Sequence, residues 1–480
     1  MRSLTVPAVA GLTLLAAALR LAAFDESFFG DELFTHLIST RPDLRAVLAG
    51  VKSNLEISPP LFFVVAWLFG KLGDPFVWLR IPSLLAGVAT VPLVYLLGAR
   101  TVGRTAALAG TALFALSPFA IFYATEARAY ALMTLLVVLS TLVLLHALET
   151  NDRRWWAALA LLEAAAMYSH YTAVFVLGAQ AAWAALTHRE RLRGLLLSAG
   201  GAVVLFAPWL PFMVDDSNAP NQAIIGALEP FGAATVTRNV GRLVDGGPFA
   251  RLTDLPGTPA FVLLGLAALI AVAGHAWLRR PPGRDWLRQP AALIGLLALA
   301  APVGASLYSL LSDDLFVARN LISSLPYLAL AFPALLLSLP RTLAAPALGL
   351  TLAALAIGAV GTLESDTRRP PYEEAGAFVE SRARPGDVVL DLNPFPGPPA
   401  LALDVQVDRG LRVFKMGYPG QERKAIRAAA RSGGRILYLR PEIGIVRGAV
   451  PKDVSRRYRD AESRTWPGWF PLTAVVYEPR

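Results

Sequence analysis

Hydrophobic positions in this chain fall into long blocks. Uncharged runs cover 3–19, 81–99, 105–125, 129–148, 194–214, 255–278, 289–312, 320–340 and 342–363. A helix rises about 1.5 Å per residue, so about 20 apolar residues cross a bilayer core, and each run predicts one crossing. The first run continues past Arg20 to Phe24 without a small-residue cleavage site, which predicts a retained helix. The block 155–187 carries one charge, Glu163, with Tyr168-Ser169-His170-Tyr171 at its middle, and predicts two shorter helices joined by a hairpin. Segment 59–70 is apolar but short for a span and predicts a half-inserted or interfacial helix.

After residue 363 the pattern changes. The last 117 residues hold 20 basic and 15 acidic side chains. A helical stretch from Glu373 to Arg382 stops at Arg384-Pro385-Gly386-Asp387 and leads into the strand-like patches 387–390 and 435–439. The predicted fold class is therefore an all-α polytopic membrane protein of about eleven transmembrane helices plus one interfacial or re-entrant helix, followed by a small C-terminal α/β extracytoplasmic domain. The predicted domains are 1–363 and 364–480.

Composition agrees: 55% of the 480 residues are hydrophobic, 16% are charged, and mean hydropathy is +0.51. An ordinary soluble enzyme is excluded. No Cys is present, which removes disulfides, thiolate nucleophiles and Cys-based metal sites. The net charge of +9 would suggest nucleic acid in a soluble chain, but here loop arginines account for much of it. If 59–70 does not cross, the loops after the second crossing divide 12 arginines to 5 between the two faces, with residues 364–480 on the arginine-poor side. By the positive-inside rule that side is outside, and a crossing at 59–70 would invert the tally.

With this topology the unusual polar residues collect on the outer face. Asp31-Glu32 sits in an aromatic setting, Phe28-Phe29-Gly30-Asp31-Glu32-Leu33-Phe34. A carboxylate there suits a general base, and equally an acidic helix cap. Glu126-Ala127-Arg128-Ala129-Tyr130 closes the third crossing. The fork of Arg128 suits phosphate, although a lone boundary Arg also reads as a snorkelling anchor, as does Arg319 after Asp313-Asp314. His170 between two tyrosines reads as a substrate contact, a metal ligand or a buried hydrogen-bonding group. No local spacing indicates a metal site. The C-terminal domain has no Gly-rich phosphate loop and no triad motif, so binding or support is its default role.

Together these residues resemble the polytopic glycosyltransferases of the GT-C fold, in the branch holding protein O-mannosyltransferases, lipid A aminoarabinose transferases and RgtA/B/C/D-like enzymes. The matching text is Gly30-Asp31-Glu32, Ser58-Pro59-Pro60-Leu61-Phe62-Phe63, Leu79-Arg80-Ile81-Pro82-Ser83 and Leu116-Ser117-Pro118-Phe119. It continues with Glu126 to Tyr130, Tyr168 to Tyr171, and Ala318-Arg319-Asn320 with Pro326, so that it spans most of residues 1–340. The resemblance implies Asp31 as catalytic base, with Glu32, Glu126, Arg128, Tyr130, His170 and Arg319 binding substrate. It also implies a polyprenyl-phosphate-linked sugar donor, inversion at the anomeric carbon, a lipid, polysaccharide or protein acceptor, membrane lipids as surroundings, and no nucleic acid. The implied location is a bacterial plasma membrane with the C-terminal domain outside. Ser58 stands where many relatives have His, and Asn320 where Tyr is common, which leaves a divalent metal ion and the particular sugar open. The rival reading is a lipid or glycan transporter. It expects ionisable residues near mid-membrane, whereas here the crossings are uncharged through their centres apart from Glu163.

Overall fold

A computed structural model describes residues 2–53, 56–217, 230–245, 258–277, 286–393, 402–407, 410–415, 420–442 and 452–480. The chain divides into two compact units: Met1–Phe24 with Ile38–Thr362, and Asp25–Leu37 with Leu363–Arg480.

Among its described residues the first unit holds helices and no strand. Among the described residues six helices are long and apolar enough to cross a membrane, including Arg2–Ala22, Ile81–Thr101, Tyr130–Thr150, Pro290–Leu311 and Arg341–Gly361. The run 105–125 is not one straight span: it breaks into Arg104–Leu116 and Pro118–Ala124, bent by 59°. The cause is local. Pro118 has no N–H to continue the ladder, and Ser117 caps the second piece by accepting from Ala120 N at 3.3 Å. The break also leaves Ala115 O free to accept from the buried Arg20 guanidinium at 3.3 Å.

Four other expected crossings fall on further helices. The block 155–187 forms Arg153–Ser169 and Ala173–Thr187, the hairpin that its central polar residues predict. Run 255–278 contains Thr258–Trp277, and run 320–340 divides into a 3-10 turn, Ala318–Ser324, and the helix Leu325–Leu336. Segment 59–70 yields Leu61–Gly70, which at ten residues is about 15 Å long, half a bilayer core. It is tied to the chain before it: Trp67 Nε1 donates to Arg41 O at 3.1 Å and Ser39 Oγ to Phe63 O at 3.1 Å. Arg251, Arg279, Arg280 and Arg284, which entered the loop tally, lie outside the described residues.

The core of this unit packs Val91, Val94, Phe114, Phe119, Tyr123, Met133, Val137, Leu297, Leu321 and Tyr327. Small residues let backbones approach: a Cβ on Gly110 would lie 2.5 Å from Ala329 O. Gln180 crosses the helices as a polar tie, donating to Thr141 Oγ1 at 2.8 Å, while Tyr327 donates to Val137 O at 2.8 Å. Leu196, Leu197, Val203, Val204, Leu310 and Leu311 are exposed, the outward apolar surface that a lipid environment covers.

The second unit holds a five-stranded sheet of order β2-β1-β3-β5-β4, where β1 is Val388–Asp391, β2 Val413–Lys415, β3 Ile436–Pro441, β4 Tyr458–Trp466 and β5 Leu472–Pro479. β1 pairs in parallel with β2 and β3, and β5 runs antiparallel to β3 and β4. Both strand-like patches of the sequence are strands, and the helix Tyr372–Arg382 lies where the pattern from Glu373 places it. The turn between them is pinned by Asp387, which accepts from Arg384 N and Arg435 N, both at 2.8 Å. Gly434 is obligatory, because a Cβ there would lie 2.0 Å from Gly386 O. Residues 25–37 join this unit although they are distant in sequence.

Candidate functional site

In the first unit, Glu126 to Arg128 form the turn between Pro118–Ala124 and Tyr130–Thr150. Its backbone is held by Arg128 N donating to Glu126 O at 2.7 Å and by Ser83 Oγ donating to Arg128 O at 3.0 Å. The Arg128 guanidinium does not snorkel. It is buried and forks onto Glu56, Nη1 to Oε2 at 2.5 Å and Nη2 to Oε1 at 3.1 Å, with Nη2 also donating to Ser58 Oγ at 3.2 Å. This bidentate carboxylate geometry is also the geometry with which Arg holds phosphate. Phe63 supports the guanidinium from one side, its ring 5.7 Å away.

Tyr130 packs edge-on to Tyr123 at 4.8 Å and lies 5.3 Å from the His170 ring. His170 ends the helix Arg153–Ser169, and its Nδ1 is 2.9 Å from Thr172 Oγ1. Burial first, then the positive charges of Arg128 and Arg319, push its pKa down to about 3. Its surroundings therefore favour the neutral imidazole. Glu126 is buried in the same turn as Arg128. Arg319 lies in the 3-10 turn Ala318–Ser324, half-buried, and Asn320 anchors that turn by donating to Leu315 O at 2.9 Å. Three residues singled out from sequence, Arg128, Tyr130 and His170, thus share one neighbourhood, and the 3-10 turn that carries Arg319 packs against the helix Tyr130–Thr150.

In the second unit, Gly30 takes φ +61° and makes the turn that presents Asp31. Glu32 N donates to Phe29 O at 3.3 Å and Leu33 N to Gly30 O at 3.2 Å, and the helix Glu32–Ser39 starts directly after. The two adjacent carboxylates have different surroundings. Asp31 is half-buried in the turn, while Glu32 is fully buried, its Oε2 3.4 Å from Arg369 Nε. Arg369 also holds Glu26, Nη1 to Oε2 at 2.8 Å.

Sequence reading did not single out Glu56, Glu26 or Arg369 for these ion pairs. Glu56 stands two residues before the Ser58-Pro59-Pro60 text, which was the available signal. Arg369 and Glu26 are 343 residues apart, beyond any spacing argument. Among the described residues no group of three or more His, Cys, Asp or Glu forms a metal-binding cluster.

The dolichyl-phosphate-mannose-protein mannosyltransferase family matches residues 58–213, the stretch carrying the Ser58-Pro59-Pro60, Arg128 and His170 motifs. No curated protein matches by sequence alone. Among solved structures, the chain is similar to ArnT from Cupriavidus metallidurans in the apo state, with 13% identity, TM-score 0.56, and coverage of 99% of this chain and 98% of that one. It is similar also to the same enzyme bound to undecaprenyl phosphate, with 13% identity, TM-score 0.54, and coverage of 98% and 97%. The fold is thus GT-C, that of a multi-pass membrane protein, and the family match supports a membrane glycosyltransferase of this type.

Proposed function

We propose that the protein moves a sugar from a polyprenyl-phosphate carrier to an acceptor hydroxyl on the extracytoplasmic face, with inversion at the anomeric carbon. The observation that carries this reading is the buried fork of Arg128, which holds a carboxylate with the geometry that Arg uses for phosphate, in a turn whose Tyr130 lies 5.3 Å from His170. Such a fork, once it exchanges its carboxylate partner, suits the phosphate of a lipid donor. ArnT, which shares the fold, binds undecaprenyl phosphate.

Asp31 accepts the proton of the acceptor hydroxyl as its oxygen bonds to the anomeric carbon. The bond from that carbon to the phosphate oxygen breaks at the same time, and its electron pair leaves on the lipid phosphate. One displacement inverts the configuration. Arg128 exchanges Glu56 for phosphate oxygens, and with Arg319 balances the charge growing on the leaving group. Preorganised electrostatic stabilisation of this kind is usually the largest single contribution to catalysis. Glu32, fully buried and turned to Arg369, is engaged in holding the turn.

The reading is tested by mass spectrometry of lipid and envelope glycans from cells with and without the gene. Deletion is expected to lose one glycosylated species and to accumulate the polyprenyl-phosphate sugar; unchanged glycans sink the proposal. Its choice of face has a separate check, because the native chain has no Cys. Arg104 and Asp313 are both exposed, so a Cys at 313 is expected to react with an impermeant outside reagent and a Cys at 104 to be protected. The opposite labelling would place the chemistry inside.

A further inference from the structure

Arg369 is held by two carboxylates that flank Asp31 in sequence. Its Nη1 and its backbone N both reach Glu26 Oε2, at 2.8 and 3.3 Å, and its Nε faces Glu32 Oε2 at 3.4 Å. All three side chains are nearly inaccessible to solvent, at 3%, 7% and 0%. A buried ion pair contributes little net stability against an apolar replacement, but it fixes geometry strongly, since either charge alone is costly. Here it fixes both ends of a seven-residue stretch, Glu26 to Glu32, with Asp31 inside it.

Neighbouring contacts fix the same stretch. Ser27 Oγ accepts from Glu373 N at 2.9 Å, at the start of the helix Tyr372–Arg382. Phe29 stacks on Tyr372 at 6.0 Å and meets Phe470 edge-on at 5.3 Å. Trp469 N donates to Arg368 O at 2.7 Å, which holds the backbone beside Arg369. Pro370 biases Arg369 towards an extended backbone, so the guanidinium is presented from a stiff segment.

We propose that Arg369 is a positioning residue for the catalytic base: through Glu26 and Glu32 the C-terminal unit sets the turn that carries Asp31. The proposal rests on the reading of Asp31 as base. It gives the C-terminal residues a part in turnover in place of accessory binding or passive support. Arg369 acts through Glu26 and Glu32, so its loss is expected to act on kcat and to leave donor binding in place.

The test uses the full chain in membranes, with the polyprenyl-phosphate donor extracted from cells lacking the protein. Arg369→Met is expected to lower kcat about 10²-fold, the scale of an ångström-sized misplacement, with KM for the lipid donor unchanged. Arg369→Lys, which supplies charge without the fork, is expected to recover part of that loss. The triple change Glu26→Gln, Glu32→Gln and Arg369→Met removes all the charges of this ion group together and is expected to stay folded. It is expected to melt near the parent temperature and still turn over slowly. Unchanged kcat in the triple variant, or a loss confined to KM, overturns the proposal. Asp31→Asn is run alongside. If it keeps full turnover, the underlying assignment of the base fails; if it is inactive while the Arg369 variants turn over normally, only the positioning role fails.

Discussion

Asp31→Asn is expected to leave the protein folded and to lower kcat by about 10²–10⁴-fold, the usual contribution of a positioned general base. At about 1.4 kcal/mol per tenfold, this is a barrier increase of roughly 3–5 kcal/mol. Folding survives because Asp31 is half-buried in a turn and Asn tolerates turn backbones, whereas the fully buried partner of Arg369 is Glu32. Glu32→Gln is therefore expected to behave differently, with a smaller loss of turnover. The check is turnover with saturating donor, together with circular dichroism of each purified variant. Equal losses in the two variants would assign the pair a shared structural role.

The second large effect is expected at Arg128. Replacing it with Met removes charge stabilisation at the leaving phosphate, worth about 10²–10³-fold in kcat for one preorganised donor. It also strands the buried Glu56, and breaking a buried pair from one side costs about 3–5 kcal/mol of stability. Adding Glu56→Gln separates the two. The double variant is expected to recover most of the melting temperature and none of the activity. Recovery of activity with stability would make the Arg128–Glu56 pair purely structural. Glu56→Gln alone is expected to remain active, since it frees the Arg128 fork that the phosphate must otherwise claim.

Block periodicity made the fold legible in the sequence. Tyr130–Thr150, Pro290–Leu311 and Arg341–Gly361 lie where uncharged runs place them, and the turn at Arg384 to Asp387 separates a helix from a strand as its Pro-Gly text indicates. The bend at Ser117-Pro118 was also written locally, as a capping Ser followed by Pro, but hydropathy over 105–125 hides it because both pieces are apolar. The short 3-10 turn Ala318–Ser324 is masked in the same way by the apolar run that follows.

The site was legible in part. Arg128 and His170 stand out as polar groups at the ends of apolar runs, and the physics of burial makes such groups conspicuous. Their partners are less so. The pairing of Arg128 with Glu56 joins positions 72 apart, and that of Arg369 with Glu26 joins positions 343 apart. Neither follows from local spacing, because the chain folds back through apolar helices whose order of packing no charge pattern specifies. The same limit explains why residues 25–37, read as a loop of the membrane part, fall into one compact unit with 363–480.

Polyprenyl-phosphate-dependent transfer is tested most directly with the purified full chain in nanodiscs, supplied with polyprenyl-phosphate sugars extracted from cells that lack the protein. The account predicts that free polyprenyl phosphate is released one for one with sugar transferred, that the product anomer is inverted, and that Asp31→Asn slows release and transfer together. Sugar transfer without release of the lipid phosphate, or a product of retained configuration, would contradict it.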